Sequence, residues 1–213
     1  MAAKEHWERV YRTKSTTEVS WFQRESRVSI ELITRVAADP NSAIIDVGGG
    51  ASTLVDGLVG RGYRNVTVLD IARLALDAAR MRLGEEAAAV RWTVADALVH
   101  PFALHSVDVW HDRAVFHFLT SPEDRRTYVA QVARAVRPNG YVIVATFAAD
   151  GPTRCSGLEA CRYGPEELHR EFGGSFELLA HVREEHITPS CARQSFQYCL
   201  CAFRPGCAAA ASG

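Results

Sequence analysis

Short apolar runs alternate with amphipathic stretches along most of the chain. Five runs are typical of buried parallel strands, at 43–47, 66–70, 90–96, 107–110 and 141–147. Helical spacing of apolar residues predicts helices over 4–13, 26–38, 52–61, 72–83, 122–136 and 165–171. Two last strands, 176–183 and 195–203, are predicted to pair as an antiparallel hairpin. The pattern predicts a doubly wound α/β fold with a mostly parallel seven-stranded sheet, an antiparallel last strand and helices on both faces.

The same pattern divides the chain into three segments. Residues 1–41 are predicted to form an N-terminal helical lid, and residues 42–204 a single α/β core. Residues 205–213, rich in alanine, are predicted to be a flexible tail.

The first predicted strand ends in an acid and leads directly into glycines, as Asp46-Val47-Gly48-Gly49-Gly50. Glycines at a strand end allow a sharp turn and close approach of a ligand. The dinucleotide fingerprint needs a sixth-position glycine, where Thr53 stands, and no P-loop Gly-Lys-Ser/Thr follows. An acid before such a loop suits a positively charged ligand. The alternative is that Asp46 only caps the turn.

Acids also stand at or beyond the ends of later strands. Asp70 follows Gly50 by 20 residues, where a ribose-binding acid belongs; Asp96 ends the next apolar run, and Asp112 follows the one after it. Because ligands bind at the carboxyl edge of a parallel sheet, these acids predict a binding site there.

Together these motifs resemble a known family. Asp46–Gly50, Asp70, Ala95-Asp96-Ala97 and Arg137-Pro138-Asn139-Gly140-Tyr141 look like the successive motifs of class I S-adenosylmethionine-dependent methyltransferases. The resemblance implies S-adenosyl-L-methionine as the cofactor, with its methionine part on the glycine loop, its ribose at Asp70, and its adenine at Asp96. His111, taken to lie just past the fourth strand, would touch the methionine part.

The resemblance implies the following cofactor-binding residues: Tyr11, Trp21, Asp46, Gly48, Gly49, Gly50, Ser52, Asp70, Ile71, Asp96, Ala97 and His111. Ser52 departs from the family pattern, which usually has a third spaced glycine there. A serine at this place can cap the following helix, so cofactor binding is still expected.

The N-terminal segment indicates a subclass within this family. His6-Trp7-Glu8 through Tyr11, followed by Trp21-Phe22, resembles the lids of thiopurine-type small-molecule methyltransferases and of lysine methyltransferases acting on translation factors. In such a lid Trp21 or Tyr11 would close against the sulfonium, since an aromatic face attracts a cation. The alternative is that Trp7, Trp21 and Phe22 only dock the N-terminal helix.

The segment 110–118 carries the candidate catalytic residues. His111, Asp112 and His117 are candidate general bases, and Arg113 could hold an anionic substrate group. The alternative is an Asp112–Arg113 ion pair with His117 in the core.

Two classes of methyl acceptor fit this reading. The first is a small molecule, such as a thiol, another soft nucleophile or a small acid. The second is a protein lysine, although His111-Asp112-Arg113-Ala114 matches the signature of the lysine enzymes poorly. A catalytically inactive cofactor-binding subunit is a third hypothesis.

Six cysteines lie in the last third of the chain, and none forms a Cys-x-x-Cys pair. Cys199 and Cys201 are two apart on a predicted strand and should face the same way. Cys155 and Cys161 follow the fifth strand, in a loop expected to overhang the site, where a thiol could bind a soft substrate or have no role. No clustered carboxylates indicate a metal, so none is predicted.

Charge and hydropathy exclude several partners. With 24 basic and 25 acidic side chains, the net charge of −1 offers no general attraction for nucleic acid. No apolar run approaches the ~20 residues of a membrane span. The N-terminus lacks the apolar core of a signal peptide. We therefore expect a cytoplasmic monomer or homodimer that binds no nucleic acid and no membrane.

Overall fold

The computed structural model describes residues 2–206. Most of the predicted flexible tail, 207–213, lies outside the described residues. The helices are α1 (Ala2–Thr13), α2 (Arg27–Val36), α3 (Leu54–Val59), α4 (Arg73–Leu83), α5 (Pro122–Ala135) and α6 (Pro165–Phe172). The strands are β1 (Ile44–Val47), β2 (Val66–Asp70), β3 (Val90–Val94), β4 (Val107–Arg113), β5 (Val136–Ala148), β6 (Arg154–Cys155), β7 (Leu158–Glu159), β8 (Arg162–Tyr163), β9 (Phe176–Ile187) and β10 (Arg193–Phe203).

One sheet organises the chain, in the order β3-β2-β1-β4-β5-β10-β9. Neighbouring strands from β3 to β5 are parallel, whereas β10 is antiparallel to both β5 and β9. The short β8 pairs with the end of β5, and β6 and β7 form a separate hairpin. This confirms the predicted seven-strand fold with an antiparallel last strand. The strand order reverses beside β1, which is where doubly wound sheets bind their ligands.

Apolar side chains cover both faces of this sheet. On one face, Ile33 of α2, Leu58 of α3 and Leu76 of α4 belong to one buried cluster. On the other, Val132 of α5 and Leu168 of α6 belong to a second. Consecutive strand residues alternate between the clusters, as expected for central strands buried on both sides. Cys199 and Cys201 both lie in the second cluster, which confirms that they face the same way.

The fourth strand is longer than its sequence indicates. His111 pairs with Asp46 of β1, and Arg113 pairs with Ala145 of β5. The prediction that His111 lies past this strand is therefore wrong, because β1 pairs with β4 as far as Asp112 and β5 pairs with it as far as Arg113.

The predicted turn 137–140 is absorbed into the start of β5. The strand is irregular there: its register with β4 shifts between Val107 and Val109, and Asn139 has a φ of 68°. Across residues 2–206 no helix is long and apolar enough to cross a membrane.

Candidate active site

Two cavities lie at the carboxyl edge of the sheet, on either side of the glycine loop. The larger has a volume of about 640 Å³ and the smaller about 40 Å³. Trp21, Gly48 and Arg113 line both, so these three residues form the wall between them.

The predicted cofactor-binding residues divide between the two cavities. Tyr11, Trp21, Gly48, Asp70, Ile71, Asp96 and Ala97 line the larger one. Trp21, Asp46, Gly48, Gly49, Ser52 and His111 line the smaller one. The structure thus brings together residues that lie far apart in sequence, with Gly50 beside Tyr11 and Asp70.

The glycine loop allows the close packing of this edge. Gly48 has a φ of 66°, and a Cβ there would overlap Cγ2 of Val115. A Cβ at Gly49 would overlap the carboxylate of Asp46. Helix α3 begins only at Leu54, whose N–H donates to Ser52 Oγ at 3.1 Å, so Ser52 supplies a hydroxyl to the helix start.

Asp70 ends β2 and faces Gly50. Its Oδ1 accepts a hydrogen bond from the Ala72 N–H at 2.7 Å. A Cβ on Gly50 would lie 3.0 Å from Asp70 Oδ2 and 2.8 Å from the Tyr11 hydroxyl, so both oxygens border the space that glycine leaves open. Burial raises the pKa of Asp70 to about 7 and also raises the pKa of Tyr11.

The third strand leads into the other side of the larger cavity. β3 ends at Val94, and Asp96 follows in a turn where its Oδ1 accepts from the Leu98 N–H at 2.9 Å. Ala97 is buried, and Ile71 lines the same cavity from the end of β2. This half of the cavity combines apolar walls with two carboxylates, Asp70 and Asp96.

Asp46, His111 and Ser29 form a buried chain of hydrogen bonds behind the loop. His111 Nδ1 lies 2.7 Å from Asp46 Oδ1, and His111 Nε2 lies 2.9 Å from Ser29 Oγ. All three residues are at most 2% exposed. Asp46 Oδ2 is buried without a hydrogen-bond partner among the described residues.

Arg113 is held by the last two strands. Its guanidinium donates to Tyr198 Oη at 2.9 Å and to Glu184 at 3.2 Å, and lies 4.0 Å from the centre of the Phe196 ring. A weaker bond of 3.4 Å reaches the Trp21 carbonyl. The ion pair considered from the sequence, with Asp112, is replaced by one with Glu184.

Asp112 and His117 lie outside the lining of both cavities. The Asp112 carboxylate accepts from the backbone N–H groups of Val115 and Phe116 and from the Tyr128 hydroxyl at 2.5 Å, and burial raises its pKa to about 6. It thereby shapes the loop after β4. Burial lowers the pKa of His117 to about 3, and its ring packs 4.6 Å from that of Phe147. This geometry matches the alternative of a core histidine.

The N-terminal helix covers the larger cavity. The rings of Trp7 and Trp21 lie 5.6 Å apart, and those of Trp7 and Phe118 lie 5.2 Å apart, both edge to face. Glu8 accepts from the backbone N–H of Arg73 at 2.7 Å, which ties α1 to the start of α4. Trp7 therefore both docks the helix and lines the cavity.

The two candidate loop cysteines differ in position. Cys155 is buried in β6 and lines the larger cavity, and burial raises the pKa of its thiol to about 11. Cys161 lies outside that lining, where its N–H donates to the His117 carbonyl at 2.7 Å. Within residues 2–206 no group of three or more His, Cys, Asp or Glu is placed to hold a metal ion.

The sequence motifs assign no role to Ser29, Glu8 or Glu184. Each is an ordinary polar residue on a helix or strand, and its partner lies at least 65 residues away. A local pattern therefore carries no signal for them.

The chain is similar to several known proteins. Residues 45–144 match a family model described as a methyltransferase domain. The chain is 28% identical to EEF1A lysine methyltransferase 2 of Danio rerio, covering 85% of this chain and 78% of that protein. It is also 28% identical to the O-methyltransferase cnsE of Penicillium expansum, covering 78% of this chain and 63% of that protein.

A solved structure shares the fold. The 1,6-didemethyltoxoflavin-N1-methyltransferase of Burkholderia thailandensis, determined with 1,6-didemethyltoxoflavin and S-adenosylhomocysteine, superposes with a TM-score of 0.66 at 16% identity. The match covers 95% of this chain and 84% of that structure. Residues 45–144 therefore form a methyltransferase domain, and the sheet order is that of the class I S-adenosylmethionine-dependent methyltransferases, which the chain resembles.

Proposed function

We propose that this enzyme methylates a small-molecule acceptor in the larger cavity, beside a cofactor that spans both cavities. The observation that carries the proposal is the division of polar groups by the glycine loop. Asp70 and Asp96 border the larger cavity, and the unpartnered Asp46 carboxylate oxygen lies at the smaller one.

The residues present fit S-adenosylmethionine. Asp70 would accept from the ribose hydroxyls, because its Oδ2 borders the space left open by Gly50. Asp96, with Ala97 and Ile71, would hold the adenine, and the compartment behind Gly48 and Gly49 would take the amino-acid part. When bound, the cofactor supplies a methyl group on a cationic sulfur. Tyr11 and Trp21 would border that cation.

The lining of the larger cavity supports a small acceptor. Residues 1–41, which we treat as the lid, contribute Trp7, Tyr11 and Trp21 to its wall, and the β6–β7 hairpin contributes Cys155 and Leu158. Most of the surface that lines this cavity is apolar, as in sites for small ligands. Such walls exclude water and hold an acceptor in line with the methyl group.

The charged residues around the larger cavity also bear on which class of methyl acceptor fits. Glu184 neutralises Arg113, which weakens the case for an anionic substrate group at that residue. Asp112 and His117 stand away from the cavity, so we assign neither as the base. A soft nucleophile such as a thiol fits best, because a fraction is already ionised near neutral pH without a protein base. Cys155 would contact it as a neutral thiol.

A protein lysine is the second candidate, favoured by the resemblance to a lysine methyltransferase. The exposed Glu159 and the partly exposed Asp124 line the cavity and would attract a lysine ammonium. The cytoplasmic location and the monomeric or dimeric state stay predictions.

A coupled assay for S-adenosylhomocysteine tests the function. Purified enzyme with S-adenosylmethionine is offered thiols, small acids, amines and cell-extract protein. Turnover on thiols supports the proposal, and methyl label in protein bands supports the second candidate. Cofactor binding by calorimetry without turnover on any class would support an inactive binding subunit. Asp70→Ala should weaken that binding about tenfold or more, and unchanged affinity would contradict the ribose assignment.

A further inference from the structure

The carboxylate of Asp46 is satisfied on one side only. Oδ1 lies 2.7 Å from His111 Nδ1, whereas Oδ2 is buried without a partner. A buried carboxylate oxygen without a hydrogen-bond donor lowers the stability of the fold. The position of Oδ2 therefore indicates a donor that the folded chain does not itself supply. The small cavity that Asp46 lines is the place from which such a donor would come.

The histidine beside it is fixed at both ring nitrogens. Nδ1 carries the proton toward Asp46, since a carboxylate can only accept, and Nε2 lies 2.9 Å from Ser29 Oγ. Ser29 is on the first turn of α2, and Asp46 is on β1. The contact therefore joins a helix to the sheet edge through the imidazole. His111 has no freedom to turn toward the larger cavity without breaking both bonds.

From this geometry we infer that Ser29 and His111 are positioning residues that aim the free oxygen of Asp46 at the ammonium group of the cofactor's amino-acid part. His111 then acts through Asp46 and is neither a base nor itself the main contact of the methionine part. The inference rests on the proposed cofactor position. It adds Ser29, which no sequence motif marks, and changes the role of His111.

Two nucleoside ligands separate positioning from general support of the fold. S-adenosylhomocysteine carries the amino-acid part, whereas 5′-methylthioadenosine keeps the adenosine and lacks the ammonium and carboxylate. Binding of both is measured by calorimetry to the full chain and to Ser29→Ala and His111→Asn variants. Thr34→Ala is the matched control, because it removes an exposed hydroxyl from the same helix. Thermal unfolding confirms that each variant is folded.

We expect Ser29→Ala and His111→Asn to weaken S-adenosylhomocysteine about tenfold and to leave 5′-methylthioadenosine within about twofold. Thr34→Ala should leave both affinities unchanged. Equal weakening of the two ligands, or no weakening of either, would overturn the inference. If His111→Asn fails to fold, the smaller Ser29→Ala change decides. Failure of the unaltered enzyme to bind either ligand would instead overturn the proposed function.

Discussion

Glu8 of the N-terminal helix caps a helix of the core. Its carboxylate accepts from the backbone N–H of Arg73 at 2.7 Å, and its second oxygen lies 3.4 Å from the N–H of Leu74. These N–H groups belong to the first turn of α4, which has no partners for them within the helix. The contact holds α1 against the start of α4 by the same physics as an N-cap.

Removing this contact should loosen the attachment of α1 to the core. Glu8→Ala is expected to lower the free energy of unfolding by about 1 kcal/mol, the typical value of an N-cap contact. Amide exchange of residues 2–13 should quicken, and the KM for the cofactor should rise. Glu5→Ala, an exposed acid one turn earlier, is the control. Identical amide-exchange rates in the two variants would show that Glu8 does not hold α1 in place.

The buried Asp70 should make stability depend on pH. Because burial raises its pKa from 3.8 to about 7, its protonated form is favoured in the folded chain. The stabilisation that protonated Asp70 adds to the free energy of unfolding is complete below about pH 4 and is lost as the pH rises through 7. Asp70→Asn should therefore gain stability relative to the unaltered enzyme between pH 5 and 8, measured by urea unfolding. A difference that stays constant with pH would exclude this effect. Asp112 is present in both the unaltered enzyme and the variant, so its effect on stability cancels in the difference between them.

Ligand affinity should change in the opposite sense with pH. Ionised Asp70 is the better acceptor for ribose hydroxyls, so binding of 5′-methylthioadenosine should tighten from pH 5 and level off above pH 7. This ligand has no group that titrates in that range. Asp70→Asn should give a weaker and flat profile in the same calorimetric titration. A flat profile for the unaltered enzyme would place the ribose elsewhere.

Breaking the ion pair between Arg113 and Glu184 should destabilise the fold strongly. Their side chains are only 9% and 11% exposed, so Glu184→Ala would leave a buried guanidinium without its counter-ion. We expect a loss of about 3–5 kcal/mol in the free energy of unfolding, measured in urea. Glu185→Ala, one residue along on the exposed side of the strand, should cost less than about 1 kcal/mol. Equal losses in the two variants would show that Arg113 does not depend on Glu184.

The fold class and the glycine loop at the end of β1 were predictable from sequence because they depend on local patterns. Buried parallel strands are apolar throughout, and a glycine run such as Gly48–Gly50 marks a turn wherever it occurs. The ends of strands were less predictable. β4 continues to Asp112 beside β1 and to Arg113 beside β5, although polar residues such as His111 and Asp112 do not look like a buried strand in the sequence.

The role of each polar side chain was decided by the tertiary structure. His111, Asp112 and His117 are similar candidates in sequence, yet they contact Asp46, Tyr128 and Phe147, respectively. A strand sends successive side chains to opposite faces, so neighbours in sequence enter different surroundings. The sequence by itself determined the fold class and the loop that marks the site. Folding decided which acids line the larger cavity, because Tyr128 and the loop after β4 pack around Asp112, whereas Asp70 and Asp96 face the cavity.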